Sequence, residues 1–452
     1  MRRSLRVVAL AVAGFVGLQL LFFALLVGAE AVPDRAIANQ LVLDVRHGTF
    51  GPPGVPDRMG GTADTFTECV VAVTGVGGGE TSSLRRAGVM PRLPSCPTGA
   101  TGLQRVAEGL PSGQDGYYFR YWAGYAPLTR PLLAAYGMDG VRVVSGALLL
   151  GALVLAGSVV GRSTTRLAAL GLFAPLVLST NLASTPSTSS SQALAIATYL
   201  SGAALVAWAA RRSVGAGLVA VALAAALFCY VDLLTTPSIG WALSSAVLAG
   251  TTWTRTRALR PALLGVLGAG LVWPVSFALT WVSRWVLAVP FVGYDNVVNE
   301  VRQVISFRTQ GTYKGVGTQL GAASRTNWHY WLDHIPTAHA VLWTGVLVVA
   351  VGALLSLRRG VRGLLGTGIV ALPALCVPFW YEVLRNHSQI HAFFVYRCVP
   401  AALGVLLFAS LLGAGVALQR GGGRDPGRLS PGSPRGRDVA GADPSSTEPV
   451  PA

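Results

Sequence analysis

Long runs of apolar residues alternate with short polar connections along most of this chain. About 20 consecutive apolar residues are needed to cross the hydrocarbon core of a bilayer as an α-helix, and most of the runs approach that length. The pattern therefore predicts an all-α membrane protein with about ten transmembrane helices. The runs lie at about 7–29, 142–160, 167–184, 191–210, 214–234, 238–253, 261–282, 338–356, 363–380 and 398–418.

Composition supports this interpretation. The 452 residues are 52% hydrophobic and 12% charged, with a mean hydropathy of +0.54, whereas soluble domains carry about 25% charged residues. The net charge of +16 suggests nucleic-acid binding at first sight. The arginines, however, stand between apolar runs and in the C-terminal tail, so topology explains them better and no nucleic-acid partner is expected.

The positions of the arginines predict the orientation of the helices. With a cytoplasmic N-terminus, every connection on the inner side carries an arginine cluster, as the positive-inside rule requires. Both termini are then cytoplasmic in a multi-pass protein of the cell membrane. The predicted parts are a first helix at 1–29, a large extracytoplasmic loop region at 30–141 with short amphipathic helices, helices two to seven at 142–282, a second outer loop at 283–337, helices eight to ten at 338–418, and a disordered cytoplasmic tail at 419–452. In the first outer region Ile37 and Leu41 share one face of a predicted amphipathic helix that would lie on the bilayer, and residues 294–308 of the second outer loop predict another short amphipathic helix.

Acidic side chains in the outer segments are candidates for catalysis. Asp64 and Glu68 stand four residues apart, so a helix would place them on one face, as a general base and a partner that positions the acceptor or a metal ion. The alternative is a solvated helix start that Asp64 caps. Asp232 is the only acid in a long apolar neighbourhood at the outer end of a helix, which favours a functional role. Its alternative is an interfacial residue at a helix break before Pro237.

Cations and aromatic residues gather in the same outer segments. The positive-inside rule gives outer arginines no topological role, and guanidinium groups suit phosphate oxygens. For the tyrosines and tryptophans, the alternative is an aromatic belt at the membrane interface. His387 and His391 could share one face of a helix, but two histidines supply too few ligands for a zinc site. The predicted substrate-binding residues are Arg120, Trp122, Arg130, Tyr381, His387, His391 and Arg397.

Five cysteines occur in the chain. Cys69 and Cys96 both fall in the first outer loop, where an oxidising compartment would permit a disulfide bond between them. Cys229, Cys376 and Cys398 lie in or beside apolar runs and are expected to be small packing residues.

The chain resembles the polytopic glycosyltransferases that use lipid-phosphate sugars, the GT-C type, in its first helix, long outer loop with acids, many spans and outer aromatics and cations. It also resembles a family of bacterial polytopic membrane proteins of uncharacterised activity. That second resemblance rests on Tyr121-Trp122-Ala123-Gly124-Tyr125 with Arg130-Pro131-Leu132-Leu133, Val231-Asp232-Leu233-Leu234-Thr235-Thr236-Pro237, and Asn386-His387-Ser388-Gln389-Ile390-His391 with Tyr396-Arg397.

The GT-C resemblance implies that an acid in the first outer loop acts as base on the acceptor hydroxyl. The usual Asp-x-Asp or Glu-x-Asp pair is missing, since Asp34, Asp44, Asp57 and Asp64 are spread out. Asp64 is the first candidate for the base and Asp44 the second.

The resulting hypothesis is an inverting glycosyltransferase at the outer membrane face. Its partners would be a polyprenyl-phosphate sugar donor, a cell-envelope glycan or secreted protein as acceptor, and membrane lipid. No cofactor is required by this chemistry, although a divalent cation is compatible with it. Two alternatives remain open: a transporter or flippase for a lipid-linked envelope precursor, and a non-catalytic protein of envelope assembly.

Overall fold

The computed structural model describes residues 2–421 apart from 53, 78, 80, 95–99, 114–115, 310–314 and 359. In the described residues, eight helices are long and apolar enough to cross a membrane, or nine if the pair Arg166–Leu178 and Leu182–Thr188, bent by 67°, is one broken span. A multi-pass helical membrane protein is therefore the architecture of this chain. The tail predicted for 419–452 falls largely outside the described residues.

In the described part of the chain, eleven α-helices and one 3-10 turn build the bundle. Their bounds are α1 Arg2–Ala29, α6 Ala126–Ser163, α7 Arg166–Leu178, α9 Ser190–Ala210, α10 Val214–Val231, α11 Pro237–Thr256, α12 Leu259–Val292, α15 Ala338–Leu357, α16 Val361–Ala371, a 3-10 turn Leu372–Leu375 that leads into α17 Cys376–Val383, and α20 Cys398–Gly421.

Shorter elements cluster at one end of this bundle, here called the loop end. They are α2 Asp34–Arg46, α3 Thr65–Val73, α4 Ser83–Val89, α5 Ala100–Ala107, α8 Thr185–Thr188, α13 Tyr294–Thr309, α14 Ala322–His334, α18 Arg385–Ile390, α19 Ala392–Val395 and an antiparallel pair of strands, β1 Pro91–Arg92 and β2 Gly116–Tyr117. The turns at the opposite end of the bundle carry the arginine clusters. There Arg255 donates a hydrogen bond to the carbonyl of Arg212.

Helix α11 is more polar than the other long helices, and it is absent from the set that is apolar enough to span on its own. Nearly all of it is nevertheless buried, between α9, α10, α12 and α20. A helix surrounded by other helices need not present an apolar surface to lipid. The prediction of about ten spans therefore stays a prediction, because α11 and the bent pair decide the count.

Two of the long helices extend beyond their predicted bounds at the loop end. Helix α6 begins at Ala126, ahead of the expected start at 142, and is kinked at Gly137. Helix α12 continues to Val292, past the expected end at 282. Both extensions add rigid helix to the loop end and carry side chains there.

The amphipathic helix expected near residue 37 is present as α2, but its position differs from the expectation of a helix lying on the bilayer. Ile37 and Leu41 are fully buried against α5 and α6. They belong to a separate small core at the loop end together with Leu103, Leu133 and Cys69. The apolar face is thus covered by protein. The second expected amphipathic helix, at 294–308, matches α13.

Cys69 is disulfide-bonded, as the sequence predicts, and its expected partner Cys96 lies outside the described residues. Cys229, Cys376 and Cys398 are free thiols. Cys69 itself is buried in the loop-end core, on α3, the helix that carries Asp64 at its N-terminus.

Candidate functional site

A cavity of about 610 Å³ opens at the loop end among α3, α13, α18, α19 and the turn that follows α10. Its size falls within the ~300–1,000 Å³ that is usual for small-molecule sites. The lining residues are Phe66, Thr67, Val70, Arg92, Tyr118, Arg120, Tyr121, Leu233, Thr235, Glu300, Gln303, Val304, Phe307, Arg308, His387, His391, Phe393 and Phe394.

Arginines packed on tyrosines form one wall of the cavity. Arg120 lies over Tyr118, with the guanidinium carbon 4.9 Å from the ring centroid, and its Nη1 is 3.2 Å from a carboxylate oxygen of Glu300. Nη2 of Arg308 donates a 2.5 Å hydrogen bond to the hydroxyl of Tyr121. The two tyrosine rings are themselves 5.5 Å apart. Cation–π contacts and hydrogen bonds thus hold both guanidinium groups in place.

Two donors on this wall are unused in the part of the chain that the structure describes. The Nε atoms of Arg120 and Arg308 are buried and have no hydrogen-bond partner there. With Arg92, three guanidinium groups face a single carboxylate, Glu300, among the lining residues. A positively charged lining with spare N–H donors suits an anion, and phosphate most of all.

The histidines of the cavity contribute as neutral rings. Nε2 of His387 is 2.6 Å from the carbonyl oxygen of Leu234, so this nitrogen carries the proton, and Nδ1 accepts from Nη1 of Arg308. Burial and the positive charge of Arg308 lower the pKa of His387 well below its usual value, and lower that of His391 to about 4. The positive charge of the cavity is therefore supplied by its arginines, and His387 orients Arg308.

Asp64 and Asp232 each lie directly behind a lining residue. Asp64 caps α3 and accepts a 3.1 Å hydrogen bond from the backbone N–H of Thr67. Asp232 accepts a 2.7 Å bond from the N–H of Thr235 and another from its hydroxyl. Burial raises the pKa of both carboxyl groups, that of Asp232 to about 7. A carboxylate with a pKa near neutrality is suited to accept a proton.

Arg397 does not line the cavity but sits at the centre of a buried network. Its Nε donates to Oδ1 of Asn181 at 2.8 Å, and its Nη1 donates to Oε1 of Gln192 at 2.5 Å. Gln192 in turn donates to Asp64 at 2.5 Å, and Asn181 donates to Asp57 at 3.2 Å. Arg397 thus links two buried carboxylates and fixes the orientation of Asp64 through Gln192.

Arg130 is likewise engaged away from the cavity. It is 1% exposed, and its Nη2 lies 2.8 Å from a carboxylate oxygen of Asp34. Nε donates to the carbonyl of Ala29 at 2.9 Å. Arg86 joins the same network through contacts with Glu30 and Asp34. Arg130 therefore anchors the loop after α1 to the start of α6.

Three further predicted residues are structural in their contacts. Glu68 is fully buried and pairs with Arg142 at 2.7 Å. Trp122 is packed in the bundle core and donates from its indole nitrogen to the carbonyl of Thr280 at 2.6 Å. Tyr381 is buried and donates to the carbonyl of Val395 at 3.1 Å. None of the three lines the cavity.

Of the ten predicted site residues, three line the cavity: Arg120, His387 and His391. Asp64 and Asp232 do not line it, but each accepts a hydrogen bond from a lining residue. Arg308 and Glu300 belong to the lining but were not selected from the sequence. The sequence signal that could have found them is their position on α13, where Glu300 and Arg308 each stand four residues from the inward-facing Val304, on the face that turns toward α18.

Among the described residues, no group of three or more histidine, cysteine or acidic side chains is arranged to hold a metal ion. Comparisons of the chain with family models, curated proteins and solved structures give no match. The function is therefore inferred from the site alone.

Proposed function

We propose that this protein is a glycosyltransferase of the cell membrane that takes a sugar from a polyprenyl-phosphate donor and transfers it to an envelope glycan or secreted acceptor. Both termini would lie in the cytoplasm and the cavity at the outer face. The observation that carries the proposal is the convergence of Arg120 and Arg308, with unused Nε donors, in a cavity large enough for a sugar phosphate.

The proposed reaction is a direct displacement. The acceptor oxygen forms a bond to the anomeric carbon while the bond from that carbon to the phosphate oxygen breaks. A carboxylate takes the acceptor proton, and the polyprenyl phosphate leaves with its negative charge against the two arginines. The neutral rings of the cavity, Tyr118, Phe307 and His391 among them, provide apolar faces on which a sugar can stack.

Asp232 is the better placed of the two candidate bases by its chemistry. Its pKa near 7 leaves a large fraction ionised at neutral pH while retaining basicity. Thr235, whose hydroxyl donates to Asp232, lines the cavity and would pass the acceptor proton inward. The pKa of Asp64 is also raised by burial, but one of its carboxylate oxygens already accepts a hydrogen bond from Gln192. Asp232→Asn should therefore reduce transfer more than Asp64→Asn.

Alanine substitution of Arg308 tests the proposal. Loss of one guanidinium that stabilises a departing phosphate should lower transfer by about a hundredfold or more, as for other charge-stabilising donors. The measurement is mass spectrometry of envelope glycans in cells that carry only the variant. Arg325→Ala is the matched control, because Arg325 is an exposed arginine of the loop end outside this cavity. Unchanged glycans at normal protein level would contradict the proposal.

A transporter of a lipid-linked precursor is the second candidate, supported by one observation. A transporter needs polar groups through the depth of the bundle. On α11 the buried hydroxyls of Ser245, Thr251 and Thr252 have no hydrogen-bond partner in the described part of the chain. Replacement of all three by alanine should leave a glycosyltransferase active and stop a transporter that uses this path.

A further inference from the structure

A second cavity, of about 710 Å³, lies between α6 and α7 and reaches the end of the bundle opposite to the loop end. Its walls are mainly apolar, with Leu153 on α6 and Phe173 on α7 among the lining residues. Arg162, near the end of α6, and Arg166, at the start of α7, line it where the two helices are joined. We call it the α6–α7 groove.

Small residues leave this groove open, and its length matches one leaflet of a bilayer. Gly157 and Ala174 line it from the two helices, and a Cβ atom built on Gly157 meets no other atom within 4 Å. Along α7 the lining runs from Arg166 to Leu178, which is a rise of about 18 Å. Half of the hydrocarbon core of a bilayer is about 15 Å thick. The groove can therefore accommodate a fatty acyl chain along its length.

The two arginines of the groove have no acidic partner. Both are exposed, no ion pair of the described residues involves either, and the sequence contains no acidic residue from 140 to 231. By contrast, the guanidinium carbon of Arg212 at the same end lies 3.9 Å from the ring centroid of Trp208. The N-terminus of α7 adds the positive end of a helix dipole at Arg166. The charge at this end of the groove therefore suits an anion.

We propose that the α6–α7 groove binds an anionic phospholipid of the bilayer, with its phosphate at Arg162 and Arg166 and an acyl chain along α7. This inference goes beyond the proposed sugar transfer and does not depend on it. Basic pockets between spanning helices are typical sites for anionic lipid head groups. The positive-inside rule explains arginines at this end of the bundle, but it does not explain a groove of leaflet length that leads to them. With the orientation proposed above, the lipid belongs to the cytoplasmic leaflet.

A double arginine variant tests the head-group contact. Purified, delipidated protein is titrated with dioleoyl phosphatidylglycerol, which is anionic, and with dioleoyl phosphatidylcholine, which has the same chains and no net charge, and native mass spectrometry measures the bound lipid. Arg162→Gln with Arg166→Gln should weaken phosphatidylglycerol binding by about thirtyfold, because each basic residue beside an anionic lipid contributes about fivefold. Binding of phosphatidylcholine should stay unchanged. The control, Arg211→Gln with Arg212→Gln, removes the same charge from exposed positions outside the groove and should bind both lipids as the parent does.

Two glycines of α6 provide the matched test of the acyl chain. Gly157 lines the groove and Gly151 lies outside it on the same helix, and a Cβ atom on either meets nothing within 4 Å. Gly157→Leu should weaken phosphatidylglycerol binding by about tenfold, because the leucine side chain takes the space of about two methylene groups of the lipid. Gly151→Leu should bind as the parent does. If Gly157→Leu does not fold, Ser158→Leu fills the same groove from an exposed position.

Three results would overturn the inference. Equal binding of the two lipids by the parent, or equal weakening by the two double arginine variants, would show that general surface charge and not a site attracts the lipid. Unchanged affinity of the leucine variants at Gly157 and Ser158 would exclude the groove. Displacement of phosphatidylglycerol by an equal concentration of inorganic phosphate would identify a site for a free anion. None of these results bears on sugar transfer at the loop end, so the two proposals fail separately.

Discussion

His391 is the residue whose ionisation should be visible in the stability of the protein. Its folded-state pKa of about 4 lies below the ~6.5 of an unfolded histidine, so the unfolded chain binds the extra proton first. Stability should therefore fall as the pH drops from 6.5 towards 4, by about 1.4 kcal/mol per unit. Thermal unfolding in detergent at pH 7.5 and 5 should show a smaller loss for His391→Gln than for the parent protein. An equal loss in both would contradict the assignment of a neutral, half-buried ring.

Loss of Arg397 should affect first of all the stability of the folded protein, and its chemistry only through that stability. Arg397→Met removes the only guanidinium that the described contacts place between Asp57 and Asp64, and so leaves two carboxylates buried without it. Breaking a direct buried ion pair costs about 3–5 kcal/mol, and we expect a smaller loss here because Arg397 reaches the two carboxylates through Asn181 and Gln192. The variant should unfold at clearly lower temperature, and adding Asp64→Asn should recover part of the loss. Arg325→Met, at an exposed position, is the control and should unfold like the parent.

The residue types at the site could be predicted from the sequence, but their partners could not. Outer arginines and histidines stand out because topology gives them no role, and Arg120, His387 and His391 were found in that way. Arg130 and Arg397 are also outer arginines without a topological role, yet their guanidinium groups are bound to partners about a hundred to two hundred positions away along the chain. Sequence spacing carries no information about such pairings, so a buried structural arginine and a ligand-binding arginine look alike.

At the scale of elements, the kink in α6 has a specific cause. Gly137 has φ of +62°, and a Cβ atom there would lie 3.1 Å from Oδ2 of Asp44. That same carboxylate accepts a 3.0 Å hydrogen bond from the N–H of Met138 and so caps the helix beyond the kink. Asp44, the second candidate for the base, is thereby occupied as a capping residue.

Gly137→Ala should therefore destabilise the protein. Positive φ combined with the ψ of −158° found here is a conformation that essentially only glycine adopts, and it costs another residue about 1–3 kcal/mol; the crowding of Asp44 adds to this. Gly157→Ala on the same helix is the control. That position is helical with open space around it, so alanine should be neutral or stabilising by up to about 1 kcal/mol. Equal unfolding temperatures for the two variants would mean that the kink is not held by Gly137.

The helices themselves were largely predictable because hydropathy and periodicity are local signals. The apolar runs of α9 and α10 and the amphipathic pattern of α13 fall close to the observed bounds. What covers an apolar face is not a local property. The face of α2 that carries Ile37 and Leu41 suits a bilayer and a protein core equally well, and the structure places it in a core.

At the scale of the whole molecule, the proposals depend on which side of the membrane the loop end faces. The structure gathers the cavity, the histidines and both candidate bases at one end and the arginine-rich turns at the other. This separation agrees with the charge pattern that predicts an outer loop end.

Cysteine accessibility tests that orientation directly. Glu108 is exposed at the loop end and Arg211 is exposed at the arginine-rich end. In intact cells a membrane-impermeant maleimide should label a Glu108→Cys variant and should label Arg211→Cys only after the membrane is permeabilised. The parent protein, with its own free thiols Cys229, Cys376 and Cys398, sets the background. The reverse labelling would place the cavity in the cytoplasm, where an acceptor outside the cell could not reach it.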